Sequence, residues 1–273
     1  MYLATVNLSS KEQAEALSIE LEDVVSTGWF HDKEACTWVL EVLFEEYHRD
    51  LIDALLNDPV IEKVPEKDWL TENRKSFPPM EIGKFYVYGS HVEGLIPGGM
   101  IPLKVDAATA FGSGSHGTTA GCLLALESIQ DYDPSSVLDI GTGTGILGMG
   151  AARLWSKSNV IACDIDPESV SMTLHNIHEN NLQNMAVFES DGLSHPEIKQ
   201  AQPYQVVVAN ILPNPLKDLA PEILGVLDNE GFVILSGILQ EQAQSVVDTY
   251  ESLGFRLFRQ IQKGEWVTLI MKK

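Results

Sequence analysis

Between Val137 and Leu154 the chain reads VLDIGTGTGILGMGAARL, with Gly141, Gly143 and Gly145 alternating directly after an apolar run that carries Asp139. Glycine adopts positive φ and lets backbone approach a ligand with no Cβ between them, so this spacing suits a loop that wraps a nucleoside-type ligand. A triphosphate loop is excluded, because no Lys-Ser or Lys-Thr follows the glycines to hold phosphate and magnesium. A dinucleotide loop fits the letters: Gly143, Gly145 and Gly148 match G-x-G-x-x-G, and Asp164 stands about where a ribose-binding acid belongs. The loop alone leaves that alternative open.

Three acids tilt the balance. Asp139 precedes the first glycine by two residues, Asp164 closes VIACD, and Asp191 follows VFES. Each falls at the tip of a successive predicted strand. Asp164 can accept hydrogen bonds from both ribose hydroxyls, and Asp191 can reach an adenine amino group. Asp139 at the loop entrance favours a cation with an amino acid end, such as S-adenosylmethionine, over a pyrophosphate. Asn210 ends YQVVVAN, at the sheet edge where a transferable methyl would lie. Its amide oxygen, or the carbonyls of the following Ile211, Leu212 and Pro213, can accept from an incoming amine and orient its lone pair for in-line displacement. Upstream, AFGSGSHGTT supplies Phe111 to shield the ligand, His116 as the one base candidate near the loop, and glycines that suit a lid. Trp266 is expected to be a packed strand residue rather than a substrate platform.

The elements that must position these residues are legible in the pattern. From Val137 onward continuous apolar strands (SSVLDI, NVIACDI, MAVFES, YQVVVANI, GFVILSGI) alternate with amphipathic helices from Ile146, Pro167, Pro215 and Gln240. That alternation predicts a parallel sheet covered on both faces, with ligand binding beyond the carboxyl ends of its strands. GFRLFRQIQKGEWVTLIM reads as two strands joined at Lys263-Gly264, so an antiparallel terminal strand is expected. GKFYVYGSH reads as one more strand, and GLIPGGMIPLKV as turns and a further strand. The first part, to about Pro65, reads strand, helix, strand, helix, strand: Tyr2 to Leu8 alternates, Ser10 and Gln13 have capping-box spacing, and Thr37 to Phe44 is β-branched and aromatic. That order suggests a split βαβ, ferredoxin-like unit. Lys67 to Ser76 is a short polar helix stopped by Phe77-Pro78-Pro79, read as a linker.

Composition sets the outer bounds. The 273 residues carry a formal net charge of -21 and 44% hydrophobic residues, a balance that suits a soluble protein and argues against a phosphate-tracking surface. No secretory leader and no apolar run of spanning length is present, so no membrane partner and a cytoplasmic location are expected. Cys36, Cys122 and Cys163 are too widely spaced for a zinc motif or a disulfide framework, and no metal site is expected.

DIGTGTGIL, ACDIDPESV and VVANILPNPL, in this order, resemble class I S-adenosylmethionine-dependent methyltransferases, and AFGSGSHGTTAGCLLALE narrows the likeness to the PrmA family, bacterial enzymes that methylate ribosomal protein L-eleven of the large subunit. DWLTENRKSFPPMEIGKFYVYGSH, LSGIL and KGEW also resemble that family. The resemblance implies a Rossmann-like, doubly wound α/β domain over residues 77–273, with a mostly parallel seven-stranded sheet and an antiparallel terminal strand. It implies a small ferredoxin-like substrate-recognition domain over 1–65 and a linker helix over 66–76. It further implies S-adenosylmethionine contacts at Thr119, Gly141, Asp164 and Asn210. The substrate amines it implies are the N-terminal α-amine and lysine ε-amines of that ribosomal protein, with no nucleic acid partner and a monomeric enzyme. Three departures stand out: Ser113 replaces the usual Thr, Ala107-Ala108 a common Pro-Gly, and NILPNPL the frequent NILAGPL. The last alters the outer rim of the substrate pocket.

Competing readings are set by single features. Methylation of a planar amide or adenine usually comes with Asn-Pro-Pro and an aromatic, whereas Ile211 and Leu212 follow Asn210 here. Another protein or small-molecule amine stays open as the acceptor. An NAD-dependent oxidoreductase would need a hydride-transfer acid such as Tyr-x-x-x-Lys, and no convincing one is found. A non-catalytic adenosine-binding module would not need Asn210 or the complete FGSGSHGTT segment.

Overall fold

The computed structural model describes residues 2–11, 13, 17, 26–32, 37–44, 59–63, 78–92, 96–106 and 117–273. The chain divides into two compact units, Met1–Glu72 and Asn73–Lys273. In the first, β1 (Tyr2–Leu8), β2 (Ser26–Asp32), β3 (Thr37–Phe44) and β4 (Val60–Lys63) form an antiparallel sheet in the order β2-β3-β1-β4. Alternation along β1 buries Ala4 and Val6 against Leu40 and Val42 of β3. β2 is an addition to the expected order, and its strand character comes from pairing with β3 from Ser26–Leu43 to Asp32–Thr37. Ser10 Oγ accepts from the Gln13 N–H at 3.3 Å, as the capping spacing predicts, while Gln13 Oε1 accepts from Ser9 rather than from Ser10. The helix expected over Asp50–Leu56 and the linker expected over 66–76 lie outside the described residues.

The second unit opens with β5 (Met80–Ile82), β6 (Phe85–Tyr88) and β7 (Ile101–Lys104), a small sheet in that order, antiparallel then parallel. GKFYVYGSH thus contributes the second strand of a tight hairpin, and Gly83 makes its turn at φ 56°. There follow α1 (Gly117–Ser128), β8 (Ser136–Ile140), α2 (Ile146–Leu154), β9 (Asn159–Asp164), α3 (Pro167–Glu179), β10 (Met185–Glu189), α4 (Pro196–Gln200), β11 (Tyr204–Asn210), α5 (Pro213–Val226), β12 (Leu227–Leu239), α6 (Ala243–Ser252), β13 (Arg256–Lys263) and β14 (Trp266–Lys272). The expected helix from Gln240 begins as a 3-10 turn, Gln240–Gln242, before α6.

The large sheet has seven strands in the order β10-β9-β8-β11-β12-β14-β13. Neighbours from β10 to β12 are parallel, and β14 runs antiparallel to both β12 and β13. The chain steps outward from β8 to β10 and returns to β11 on the other side of β8, which makes the β8–β11 boundary the topological switch point where open α/β sheets bind ligands. Two apolar layers cover the sheet. Val137, Val206, Val208 and Ile234 face α1 and α2, and Leu138, Ile140, Val207, Ala209 and Leu235 face α5 and α6. By the two-residue period, Asp139, Asn210 and Ser236 occupy the α1–α2 face. No helix of the described residues is long and apolar enough to cross a membrane.

Candidate functional site

The glycine loop joins β8 to α2, and all three alternating glycines are left-handed: Gly141 at φ 65°, Gly143 at 58° and Gly145 at 83°. A side chain on Gly141 would run into Ile211, so the β8 and β11 loops touch only because no Cβ stands there. Protein groups pin the loop's peptides one by one. The Thr142 N–H donates to the Cys163 carbonyl at 3.0 Å, and the Gly145 N–H donates to the Thr142 carbonyl at 3.0 Å. Gly143 is held on both sides: its N–H donates to Asp164 Oδ2 at 2.9 Å, and its carbonyl accepts from Thr173 Oγ1 at 2.9 Å. Asn176 Nδ2 donates to the Thr144 carbonyl at 2.8 Å.

Asp139 lies beneath this loop rather than at its mouth. Its carboxylate is buried, with Oδ2 accepting from Thr142 Oγ1 at 2.7 Å and from the Gly148 N–H at 2.8 Å. Gly148 is in the first turn of α2, where backbone N–H groups lack helical partners and ordinarily invite an anion. The protein's own carboxylate fills that role, which disfavours a pyrophosphate at the helix end. Oδ1 has no hydrogen-bond partner among the described residues. Burial pushes the Asp139 carboxyl up to about 7, against the pull of the Thr142 hydroxyl and the Gly148 N–H and helped by the Asp164 charge. The folded chain therefore holds a proton that the unfolded chain, ionising near 3.8, has released. The Asp139 contribution to stability is full below about pH 4, falls as pH rises toward about 7, and is level beyond, with a slope approaching about 1.4 kcal/mol per pH unit. Denaturant unfolding of the wild type and of Asp139→Asn across that window is expected to show this slope in the difference between them. A pH-independent difference would contradict it.

The other strand tips surround the loop. Asp164, half-buried at the end of β9, uses Oδ2 for Gly143 and Oδ1 for the Asp166 N–H at 3.1 Å. A carboxylate has about four acceptor sites, so ribose hydroxyls can still donate to it. Asp166 caps α3, with Oδ1 accepting from the Glu168 N–H and Oδ2 from Ser169, and these bonds, led by the Ser169 hydroxyl, hold its carboxyl below the usual range. Asp191 is exposed in the turn after β10. Asn210 is half-buried at the end of β11, opposite Ser236 of β12. Beyond it the Ile211 backbone passes against Gly237, where a Cβ would strike the Ile211 carbonyl and the backbone is left-handed at φ 84°, and Leu212 is 71% exposed before Pro213 opens α5.

Thr119 is buried in the first turn of α1. That turn reaches the site through Ser236, whose Oγ lies 3.4 Å from the Thr118 carbonyl and 2.9 Å from Thr268 Oγ1. A side chain at Gly117 would press on Trp266 and the Lys263 carbonyl, which fits Trp266 as a packed strand residue. The structure thus brings Gly141, Gly143, Asp164, Asp191 and Asn210 to one end of the sheet, with Thr119 linked through α1. Phe111 and His116 lie outside the described residues. Thr173 and Asn176, which hold the loop from α3, escaped the sequence reading. Their signal is a polar stripe on the helix face, Ser169, Thr173, Asn176 and Asn180, all buried.

These residues fit a cationic adenosine ligand. Asp164, Asp166 and Asp191 stand at this end, and segments 141–146, 164–169, 189–194, 210–213 and 236–240 contain no lysine or arginine. Among the described residues no cluster of three or more His, Cys, Asp or Glu could hold a metal ion.

Known proteins converge on the same architecture. The family model described as ribosomal protein L11 methyltransferase (PrmA) matches residues 6–273. Ribosomal protein L11 methyltransferase of Brucella suis (strain ATCC 23445 / NCTC 10510) is 37% identical over 225 residues, 81% of this chain and 79% of that one. The enzyme of the same name from Rhodopseudomonas palustris (strain BisB5) is 39% identical over 223 residues, 81% of this chain and 75% of that one. Among solved structures, the ribosomal protein L11 methylase of Lactobacillus delbrueckii subsp. bulgaricus aligns with a TM-score of 0.64 and 26% identity, covering 71% of this chain and 98% of that chain.

Proposed function

The chain belongs to the ribosomal protein L11 methyltransferase (PrmA) family, and from that premise we propose that it transfers methyl groups from S-adenosylmethionine to the N-terminal α-amine and lysine ε-amines of ribosomal protein L11. The observation that carries the reading is the juxtaposition at the switch point. An acid-lined glycine loop, its helix end already capped by Asp139, meets the strand that ends in Asn210. An NAD-dependent oxidoreductase is disfavoured by that same cap.

S-adenosylmethionine supplies the electrophilic methyl carbon. Gly141 and Gly143 would give the backbone its close approach, Asp164 would take the ribose hydroxyls, Asp191 the adenine amino group, and Thr119 would add a further contact; Phe111, outside the described residues, is assigned as a shield for the ligand from the sequence alone. An acceptor amine must arrive neutral: a free lysine is only about 0.04% deprotonated at pH 7, an α-amine about 10%. Excluding water around the substrate ammonium lowers its pKa, and the Asn210 amide oxygen, or the carbonyls after it, accept an N–H and point the lone pair. The proton leaves to solvent.

The antiparallel order β2-β3-β1-β4 supports a ferredoxin-like reading of the N-terminal unit. We assign residues 1–65 to gripping the basic substrate, 66–76 to a linker and 77–273 to catalysis. The net charge of -21 suits a basic client. Mass spectrometry of purified ribosomal protein L11 incubated with enzyme and S-adenosylmethionine is expected to show whole methyl increments on its N-terminal and lysine-bearing peptides. Unchanged mass removes the substrate assignment, and tight binding of NADH in place of S-adenosylhomocysteine removes the cofactor assignment as well.

A further inference from the structure

Helix α3 and its C-cap carry two buried asparagines one turn apart, Asn176 and Asn180, and both are bound to the same strand edge. Asn180 Oδ1 accepts from the Lys104 N–H at 3.0 Å, and its Nδ2 donates to the Lys104 carbonyl at 2.7 Å. Asn176 repeats the pattern two residues along, with Oδ1 accepting from the Asp106 N–H at 3.0 Å and Nδ2 donating to the Asp106 carbonyl at 3.0 Å. The spacing explains the match. Four residues of helix rise about 6 Å, and two residues of strand about 6.6 Å, so amides at i and i+4 meet backbone groups at j and j+2. The two side chains stand in for a neighbouring strand along this extension of β7.

They differ in one respect. The second Nδ2 hydrogen of Asn176 goes to the Thr144 carbonyl at 2.8 Å, whereas among the described residues the Asn180 side chain bonds no group of the glycine loop and uses Nδ2 also on Met149 Sδ and the Asn176 carbonyl. Asn176 is fully buried, and both of its N–H donors and its oxygen are engaged. The Thr144–Gly145 peptide is thereby fixed at both ends, its oxygen by Asn176 and its N–H by the Thr142 carbonyl. That peptide leads into Gly145, the left-handed residue from which α2 starts.

We propose that Asn176 is a positioning residue for cofactor binding: it ties the glycine loop to the Lys104–Asp106 strand edge and so holds the loop in its binding shape, while Asn180 holds the strand edge and the end of α3 and takes no part in holding the loop. The inference rests on the reading of that loop as the S-adenosylmethionine cradle. Asparagine suits the position because a carboxylate there would set an oxygen against the Asp106 and Thr144 carbonyls and remove the two donations that Nδ2 now makes to them.

The paired variants Asn176→Asp and Asn180→Asp separate this role from a merely structural one, read by calorimetric titration with S-adenosylhomocysteine and by thermal unfolding. Both are expected to lower Tm. Asn176→Asp is expected to raise the S-adenosylhomocysteine Kd about tenfold or more and to raise KM for S-adenosylmethionine more than it lowers kcat, whereas Asn180→Asp leaves Kd within about threefold. If either variant does not fold, the milder pair Asn176→Ser and Asn180→Ser carries the same comparison. Equal changes in Kd from the two positions, or an unchanged Kd in the folded Asn176 variant, overturn the proposal. Wild-type protein that binds no S-adenosylhomocysteine overturns instead the reading on which it rests.

Discussion

Replacing Asn210 with alanine is expected to lower kcat by about 10²- to 10³-fold, the range seen when one preorganised polar group is removed from a reacting centre, a larger effect than the weakening of S-adenosylhomocysteine binding that goes with losing one cofactor contact. The side chain closes β11 on the face that also carries Asp139 and Ser236, and its backbone leads straight into Ile211, whose side chain lies over Gly141. The strand therefore sets the amide beside the glycine loop without using it to build the loop. Truncation removes an acceptor for the substrate N–H and leaves the cofactor cradle intact, so the loss should fall on the chemical step. Single-turnover rates with saturating S-adenosylmethionine and ribosomal protein L11 measure it. A variant with undiminished kcat, or one whose whole defect is a weaker cofactor complex, would place Asn210 outside the reaction.

Asp164→Ala is expected to weaken S-adenosylhomocysteine binding by on the order of 2 kcal/mol, about thirtyfold. Two losses combine. The ribose loses a charged acceptor, and the Gly143 N–H, now 2.9 Å from Oδ2, loses the partner that fixes the loop's central peptide. Asp164→Asn distinguishes them, because an amide oxygen can keep the Gly143 bond while giving up charge and acceptor sites. Its Kd should fall between those of the wild type and the alanine variant. Calorimetry that finds all three alike would show that the ribose binds elsewhere.

The parts of the site that were legible in the sequence are those whose chemistry is local. Alternating glycines announce positive φ within five residues, and an acid closing an apolar strand announces a tip residue, so Gly141, Gly143 and Asp164 could be named before their coordinates. Asp139 could be named but not placed. Its role depends on whether the carboxylate points out of the loop or under it, and the Gly148 N–H decides that only once α2 is formed. The role of Asn176 was hidden for a different reason, the polar stripe marking its face but not its partners. Its partners are backbone atoms of Asp106 and Thr144, 70 and 32 residues away, which carry no side-chain signature. The same holds for β2, where Gly28 interrupts the β-forming residues and the strand exists through its ladder to β3. Strand order in the large sheet was likewise beyond the pattern, since apolar runs give direction and burial but not neighbours.

The insertion of β14 between β12 and β13 has a consequence for how the protein is made. Residues 266–272 are the last of the seven strands to be synthesised, yet β13 has β14 as its one partner in the sheet. The β13–β14 hairpin closes as soon as residues 266–272 emerge, because only Gly264 and Glu265 separate the two strands. The longer wait falls on β12, whose border stays open from Leu239 until Trp266 arrives, and such an edge is exposed to aggregation. Early termination within these few codons therefore strands two segments rather than one, and the cell would meet the damage as insolubility before it met it as lost methylation.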